Sequence, residues 1–153
     1  MAEILARLAE VAPELWTAVR QTLVMLLIAI PLAVALGTPL GIWLHTHGPQ
    51  GLRHTPHSHR VVDATVNVVR SFPFLILLIA IIPFTRFVVG TTIGTAAVIV
   101  PLTINAIPYF ARLVEQNLAQ LDQGTVEAAR AMGATRGQII RDVLLVEIGR
   151  AHV

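Results

Sequence analysis

Five of the six histidines of this 153-residue chain fall within a stretch of fifteen residues. Imidazole is the commonest side chain that binds transition metals, so this stretch is the first candidate for chemistry. The histidine spacings match no compact zinc pattern, and the nearest carboxylate is that of Asp63. We therefore expect a solvated loop and keep a metal site as the alternative. The weak candidate ligands are His45, His47, His54, His57 and His59.

A second candidate is a helical hairpin that contains the sequence EAA at residues 127–129. Its first helix is predicted over residues 124–132, with Gly133 as a left-handed stop. Thr135 and Gln138 have the spacing of a capping box that begins a second helix. Small side chains on the first helix leave a bare surface for another protein, although a hairpin without a partner is the alternative. The apolar face of the second helix is predicted to be Ile139, Ile140, Val143 and Leu144.

The composition indicates that both candidates belong to a membrane protein. Apolar residues make up 55% of the chain and charged residues 13%, and the mean hydropathy is +0.72. Soluble domains carry about 25% charged residues, because a globular fold must cover itself with polar groups. Disorder is excluded because disordered chains are poor in apolar residues. A net charge of +2 without a basic stripe argues against a nucleic-acid partner, and the absence of Cys excludes thiol chemistry.

Three apolar stretches are predicted to cross the bilayer. Residues 23–44 contain no charge, and their 22 residues of helix would measure about 33 Å, against a hydrocarbon core of about 30 Å. The second stretch is long enough only if it includes Arg70, and we expect a kink near Pro73. The third follows a tight turn at residues 83–86, carries Gly90 and Gly94 as a helix-contact pair, and continues past residue 110 as an amphipathic helix.

The arginines predict the topology. Arg53 and Arg60 lie in the first loop and a larger group lies after residue 111, whereas only Arg86 separates the second and third spans. The positive-inside rule then places the N-terminus outside and the two arginine-rich regions in the cytoplasm. Arg70 is expected to snorkel to the headgroups, with a place in a polar pathway as the alternative.

The predicted fold is an all-α polytopic transmembrane helix bundle of about three spans with a cytoplasmic helix–turn–helix. Its parts are an amphipathic N-terminal segment (1–20), a first span (21–45), a cytoplasmic His-rich loop (46–61), a second span (62–85), a third span (87–110), a cytoplasmic region with the EAA sequence (111–145) and a tail (146–153).

The spacing of EAA and Gly133 resembles the cytoplasmic loop of permease subunits in bacterial ABC importers. Further stretches at residues 70–74 (RSFPF), 82–91 and 100–103 (VPLT), together with EAARAMGA at 127–134, are similar to the methionine branch of that family. The resemblance covers roughly residues 15–145.

The resemblance implies a non-enzymatic permease of the bacterial inner membrane, with no catalytic residue and no bound cofactor. It implies a homodimer whose loops dock on ABC ATPase subunits, which use the ATP, and an extracytoplasmic binding protein that delivers an amino acid. By motif position, the residues that couple to the ATPase would be Glu127, Ala128, Ala129, Gly133 and Ala134.

The chain departs from the family pattern at Val146, where the family has Pro. The following residues 147–153 (EIGRAHV) can be encoded by a common sequencing-adapter read. We therefore expect residues 146–153 to be a non-native tail on a truncated permease that does not transport by itself. The alternatives for the whole chain are a permease for another amino acid or small solute, a membrane scaffold or non-functional fragment, and a metal-dependent membrane enzyme that uses the His-rich loop.

Overall fold

The computed structural model describes residues 2–49, 51, 55–120 and 123–146, and these residues form helices and connections without a strand. The prediction of an all-α membrane helix bundle is confirmed. The helices are α1 (Ala2–His47), α2 (Pro56–Ser71), α3 (Phe74–Ala80), α4 (Ile82–Val89), α5 (Thr95–Ala119), α6 (Gln123–Ala131) and α7 (Arg136–Gln138), which continues as a π-helical segment over Ile139–Leu144.

The first helix is a single rod of 46 residues, about 69 Å long. The boundary expected after residue 20 does not interrupt it, and Pro13, Pro31 and Pro39 all lie inside it. Each proline removes one backbone hydrogen bond, and the bonds of the neighbouring turns hold the helix together. The predicted N-terminal segment and the first span are therefore one continuous element.

α1 packs along α5, and two glycines allow the approach. A Cβ added at Gly41 would lie 2.4 Å from the Ala111 carbonyl oxygen, and one added at Gly37 would lie 3.0 Å from that of Ile107. The contacts advance in the same direction along both helices, so α1 and α5 are parallel. Both are long and apolar enough to cross a membrane. The connecting residues 48–94 must therefore return the chain to the side on which α1 begins.

The return passes through several short helices, and the predicted second span (62–85) contains parts of three of them, α2, α3 and α4. α2 and α3 meet at a bend of 106°, which confirms the kink expected near Pro73. Phe72 is extended, with φ −75° and ψ 128°, because a residue before proline avoids the α region. The predicted turn at residues 83–86 is wrong, since these residues belong to α4 and Pro83 lies in its first turn, where the missing N–H costs nothing.

The helix of the predicted third span begins later than expected. Residues 87–89 belong to α4, and α5 begins at Thr95. Gly90 and Gly94 bracket the loop between them with φ values of 78° and 95°, and no atom lies within 4 Å of a Cβ added at either position. They form a turn, and the predicted helix-contact pair is wrong. The extension of this helix past residue 110 is confirmed, because α5 ends at Ala119.

Candidate functional site

The helical hairpin of residues 123–146, here called the EAA hairpin, is closed by backbone geometry at a glycine. The Ala134 N–H donates to the Ala129 carbonyl at 3.0 Å, and the Gly133 N–H donates to that of Arg130 at 2.9 Å. This pair of bonds is the Schellman motif, which needs a left-handed residue, and Gly133 has a φ of 82°. The predicted helix stop at Gly133 is confirmed.

The second half of the hairpin begins at the predicted capping box. The Gln138 carboxamide oxygen accepts hydrogen bonds from the Thr135 N–H at 2.8 Å and from the Thr135 hydroxyl at 2.9 Å. In return, the Gln138 N–H donates to the Thr135 hydroxyl oxygen at 3.4 Å. The turn of the hairpin is therefore fixed on both sides by hydrogen bonds between near neighbours in the sequence.

Apolar packing anchors the hairpin on α5. Ile139 and Leu144 are 1% exposed, and Leu144 contacts Val114 and Leu118. Ile140 packs against the same cluster as Leu144, whereas Ile139 lies at the cavity between the two halves of the hairpin. The burial of Ile139 and Leu144 confirms this part of the predicted apolar face, whereas the sequence did not reveal the π turn.

The hairpin leaves the outer surface of α6 open. Glu127 and Ala128 are exposed on α6, and Met132 is 82% exposed beside them. Ala129 is 8% exposed and faces the second half of the hairpin. A cavity of about 320 Å³ lies between the two halves, and its lining includes Ala129, Met132, Gly133, Ala134, Gln138 and Ile139. The five residues of the predicted coupling set thus lie together, with two on the outer surface of α6 and three at the turn and cavity.

The histidines do not come together around a common point in the described part of the chain. His45 and His47 lie in the last turn of α1, and the His47 ring stacks on Trp43 with centroids 4.4 Å apart. His57 and His59 lie in the first turn of α2, and His54 is outside the described residues. Among the described residues, no group of three or more His, Asp or Glu side chains is placed to hold a metal ion.

A network of polar and charged residues joins α2 to α5, and the sequence did not predict it. One guanidinium nitrogen of Arg112 donates to the Glu115 carboxylate at 2.6 Å. The other donates to the Asp63 carboxylate and, at 3.0 Å, to the Asn67 side-chain oxygen. The Arg112–Glu115 pair has helical spacing and is readable from the sequence. Asp63 is 49 residues away, and no sequence signal links it to Arg112.

A second polar contact joins the same two helices. The Arg70 guanidinium lies 5.0 Å from the centroid of the Tyr109 ring, and the Tyr109 hydroxyl donates to the Arg70 backbone carbonyl at 3.3 Å. An arginine over an aromatic face is a favourable cation–π arrangement. These contacts hold Arg70 against α5. They are compatible with both predicted environments, the lipid headgroups and a polar pathway.

Comparison with known proteins gives the family. Residues 37–148 match the family described as the binding-protein-dependent transport system inner membrane component. The chain is 55% identical to the probable D-methionine transport system permease protein MetI of Vibrio cholerae, covering 87% of this chain and 59% of that protein. It is 46% identical to the D-methionine transport system permease protein MetI of Escherichia coli, covering 88% and 64%.

A solved structure gives the same relationship. A chain of the MetNI methionine ABC transporter in an inward-facing conformation superposes with a TM-score of 0.82 at 46% identity, covering 87% of this chain and 63% of that one. The chain thus spans about three fifths of the length of these relatives. The predicted ABC importer family is confirmed, and the chain belongs to the binding-protein-dependent transport system inner membrane components.

Proposed function

We propose that this chain is the permease subunit of a bacterial ABC importer for methionine. The relatives named as D-methionine permeases support the substrate class, since they are 46% and 55% identical to this chain. The observation that carries the proposal is the EAA hairpin, in which Glu127 and Ala128 lie exposed on a short helix. That helix is held on the end of a long apolar helix by Leu144 and its contacts.

The hairpin is suited to transmit a rigid-body movement. The ATPase subunit would bind the exposed face of α6, where small side chains allow close approach and Glu127 offers a carboxylate to a donor. Ala129 would pack inside the hairpin, and Gly133 and Ala134 would hold its turn. Because Leu144 is buried against α5, a push on α6 would move α5 with it.

The remaining parts of the proposal follow the family. The ATP would be used by the partner ATPase, and this chain would bind no cofactor and have no catalytic residue. A second permease copy and an extracytoplasmic substrate-binding protein would complete the importer in the bacterial inner membrane. The N-terminus would lie outside, so the EAA hairpin would face the cytoplasm.

The test is to express the permease from its genomic locus with the ATPase and the binding protein of the same gene cluster. Glu127→Gln keeps the size of the side chain and removes its charge. Glu14→Gln is the matched control, since Glu14 is exposed on α1 far from the hairpin. We expect Glu127→Gln to lower both co-purification of the ATPase and methionine uptake, while Glu14→Gln leaves both at the wild-type level.

Two results would overturn the proposal. If the wild-type permease retains no ATPase during purification, the chain is not an importer subunit. If it retains the ATPase but takes up other amino acids and neither L- nor D-methionine, the substrate class is wrong. If Glu127→Gln and wild type show equal co-purification of the ATPase and equal methionine uptake, the surface of the hairpin at Glu127 has no part in coupling.

A further inference from the structure

The contact between α2 and α5 contains little apolar packing. Of the sixteen residues of α2, all described, one is buried, namely Val66, which clusters with Leu44 and Ala111, and the partly buried Val62 packs against that cluster. By comparison, α5 has seven buried residues along its length. A joint with so little apolar contact depends on its polar groups to keep the two helices together.

Those polar groups converge on Arg112. Its side chain is 14% exposed, and the Asp63 and Glu115 side chains are 33% and 19% exposed. A guanidinium presents a rigid fork of donors, and here one branch binds Glu115 on its own helix while the other binds Asp63 and Asn67 on α2. Partly buried charges separate only at a large cost, so α2 is tied to whatever movement α5 makes.

The network lies beside the anchor of the EAA hairpin. Arg112 and Glu115 flank Val114, and Val114 belongs to the buried cluster that holds Leu144. One turn of α5 therefore receives the hairpin through apolar contacts and holds α2 through ionic contacts. The Arg70–Tyr109 contact adds a second link between the same helices less than one turn away.

We propose that Arg112 is a positioning residue that passes movement of the EAA hairpin from α5 to α2. Asp63 and Asn67 receive that movement on α2, and Glu115 keeps the guanidinium in its forked orientation. This inference rests on the proposed function, because it supposes that an ATPase moves the hairpin.

The test uses four variants. Arg112→Met removes the charge and keeps much of the volume, and Asp63→Asn removes the charge of the partner with almost no change in shape. Exchange of the two residues (Asp63→Arg with Arg112→Asp) restores opposite charges in reversed positions. Arg60→Met is the matched control, since Arg60 is an exposed arginine on α2 one turn before Asp63.

The first measurement is the ratio of methionine transported to ATP hydrolysed in proteoliposomes that hold the assembled importer. We expect Arg112→Met and Asp63→Asn to lower this ratio by about five-fold or more, the lower end of typical coupling between sites. The exchanged pair should recover most of it, and Arg60→Met should match wild type. An unchanged ratio in Arg112→Met and Asp63→Asn would overturn the inference, as would an exchanged pair no better than Arg112→Met.

The second measurement does not need transport. The chain contains no cysteine, so one spin label can be placed at each of two exposed positions, Thr65 on α2 and Gln116 on α5, in the same molecule. Arg112→Met should broaden the distance distribution between the labels, and the exchanged pair should narrow it again. An unchanged distribution in Arg112→Met would overturn the link even if the importer proposal holds. A broadened distribution in a chain that binds no ATPase would support the link and reject the importer.

Discussion

Glycines at three positions of this chain have different physical roles. Gly41 is needed for space, because a Cβ there would lie 2.4 Å from a backbone oxygen of α5. Gly133 is needed for its φ of 82°, and no atom lies within 4 Å of a Cβ added to it. Gly137 lies in a helix with open space around it and meets neither requirement.

Substitution of alanine for these glycines should separate the roles. Gly41→Ala forces α1 away from α5 and should lower the free energy of unfolding by about 1–3 kcal/mol. Gly137→Ala should raise it by about 0.5–1 kcal/mol, because alanine loses less backbone entropy than glycine in a helix. The free energy of unfolding of each variant is measured from tryptophan fluorescence during titration with sodium dodecyl sulfate in mixed micelles. Trp43, which lies two residues from Gly41, is a reporter. If Gly41→Ala and wild type unfold with the same midpoint, the close contact between α1 and α5 at Gly41 is contradicted.

Among the helices, α5 links the membrane-crossing part of the fold to the EAA hairpin. It packs along α1 as far as Val114, and near its end it buries Val114 and Leu118 against Leu144. The segment that carries Leu144 is π-helical over Ile139–Leu144. A π turn inside a helix is frequent at functional sites, which fits its place in the hairpin proposed to bind the ATPase.

Two adjacent leucines test the hairpin anchor. Leu144 is 1% exposed and Leu145 is 42% exposed. Leu144→Ala should destabilise the docked hairpin by about 2–5 kcal/mol through lost burial and the cavity left behind. Leu145→Ala should change its stability by less than about 0.5 kcal/mol. Hydrogen exchange of the amides of residues 136–144 measures the difference, and similar exchange rates in the two variants would show that the hairpin is not held by this contact.

In the molecule as a whole, the two long helices α1 and α5 are parallel. The shorter helices α2, α3 and α4 lead the chain back from the end of α1 to the start of α5. Parallel packing of α1 and α5 requires that the chain cross back between them, and α2 and α3, which meet at a bend of 106° near Pro73, lie on this path. With the N-terminus outside, α2 would begin on the cytoplasmic side and the loop between α4 and α5 would lie outside. The C-terminal ends of α1 and α5 would then both lie on the cytoplasmic side.

Single cysteines in this cysteine-free chain test the proposed topology. Glu14→Cys and Thr91→Cys should react with a membrane-impermeant maleimide on intact spheroplasts. His57→Cys and Gln116→Cys should react only after lysis, because their side chains would face the cytoplasm. All four positions are exposed, so lack of reaction reports the membrane side. The reverse pattern would place the hairpin outside, and labelling of Thr91 and His57 from the same side would contradict the crossing between them.

The sequence by itself determined the features that depend on residues a few positions apart. Apolar runs longer than the bilayer predicted α1 and α5, the proline at residue 73 predicted the kink, and the EAA hairpin followed from Gly133, Thr135 and Gln138. These interactions close within about five residues, so the local sequence holds both partners.

The tertiary structure decided what depends on distant partners. It joined Arg112 to Asp63, turned Ala129 inward, and divided the expected second span into separate helices. It also showed that Gly41, and not the pair Gly90 and Gly94, lies at a close helix contact. Side chains dozens of residues apart become neighbours only when helices pack, and hydrophobic periodicity carries no information about which helices will meet.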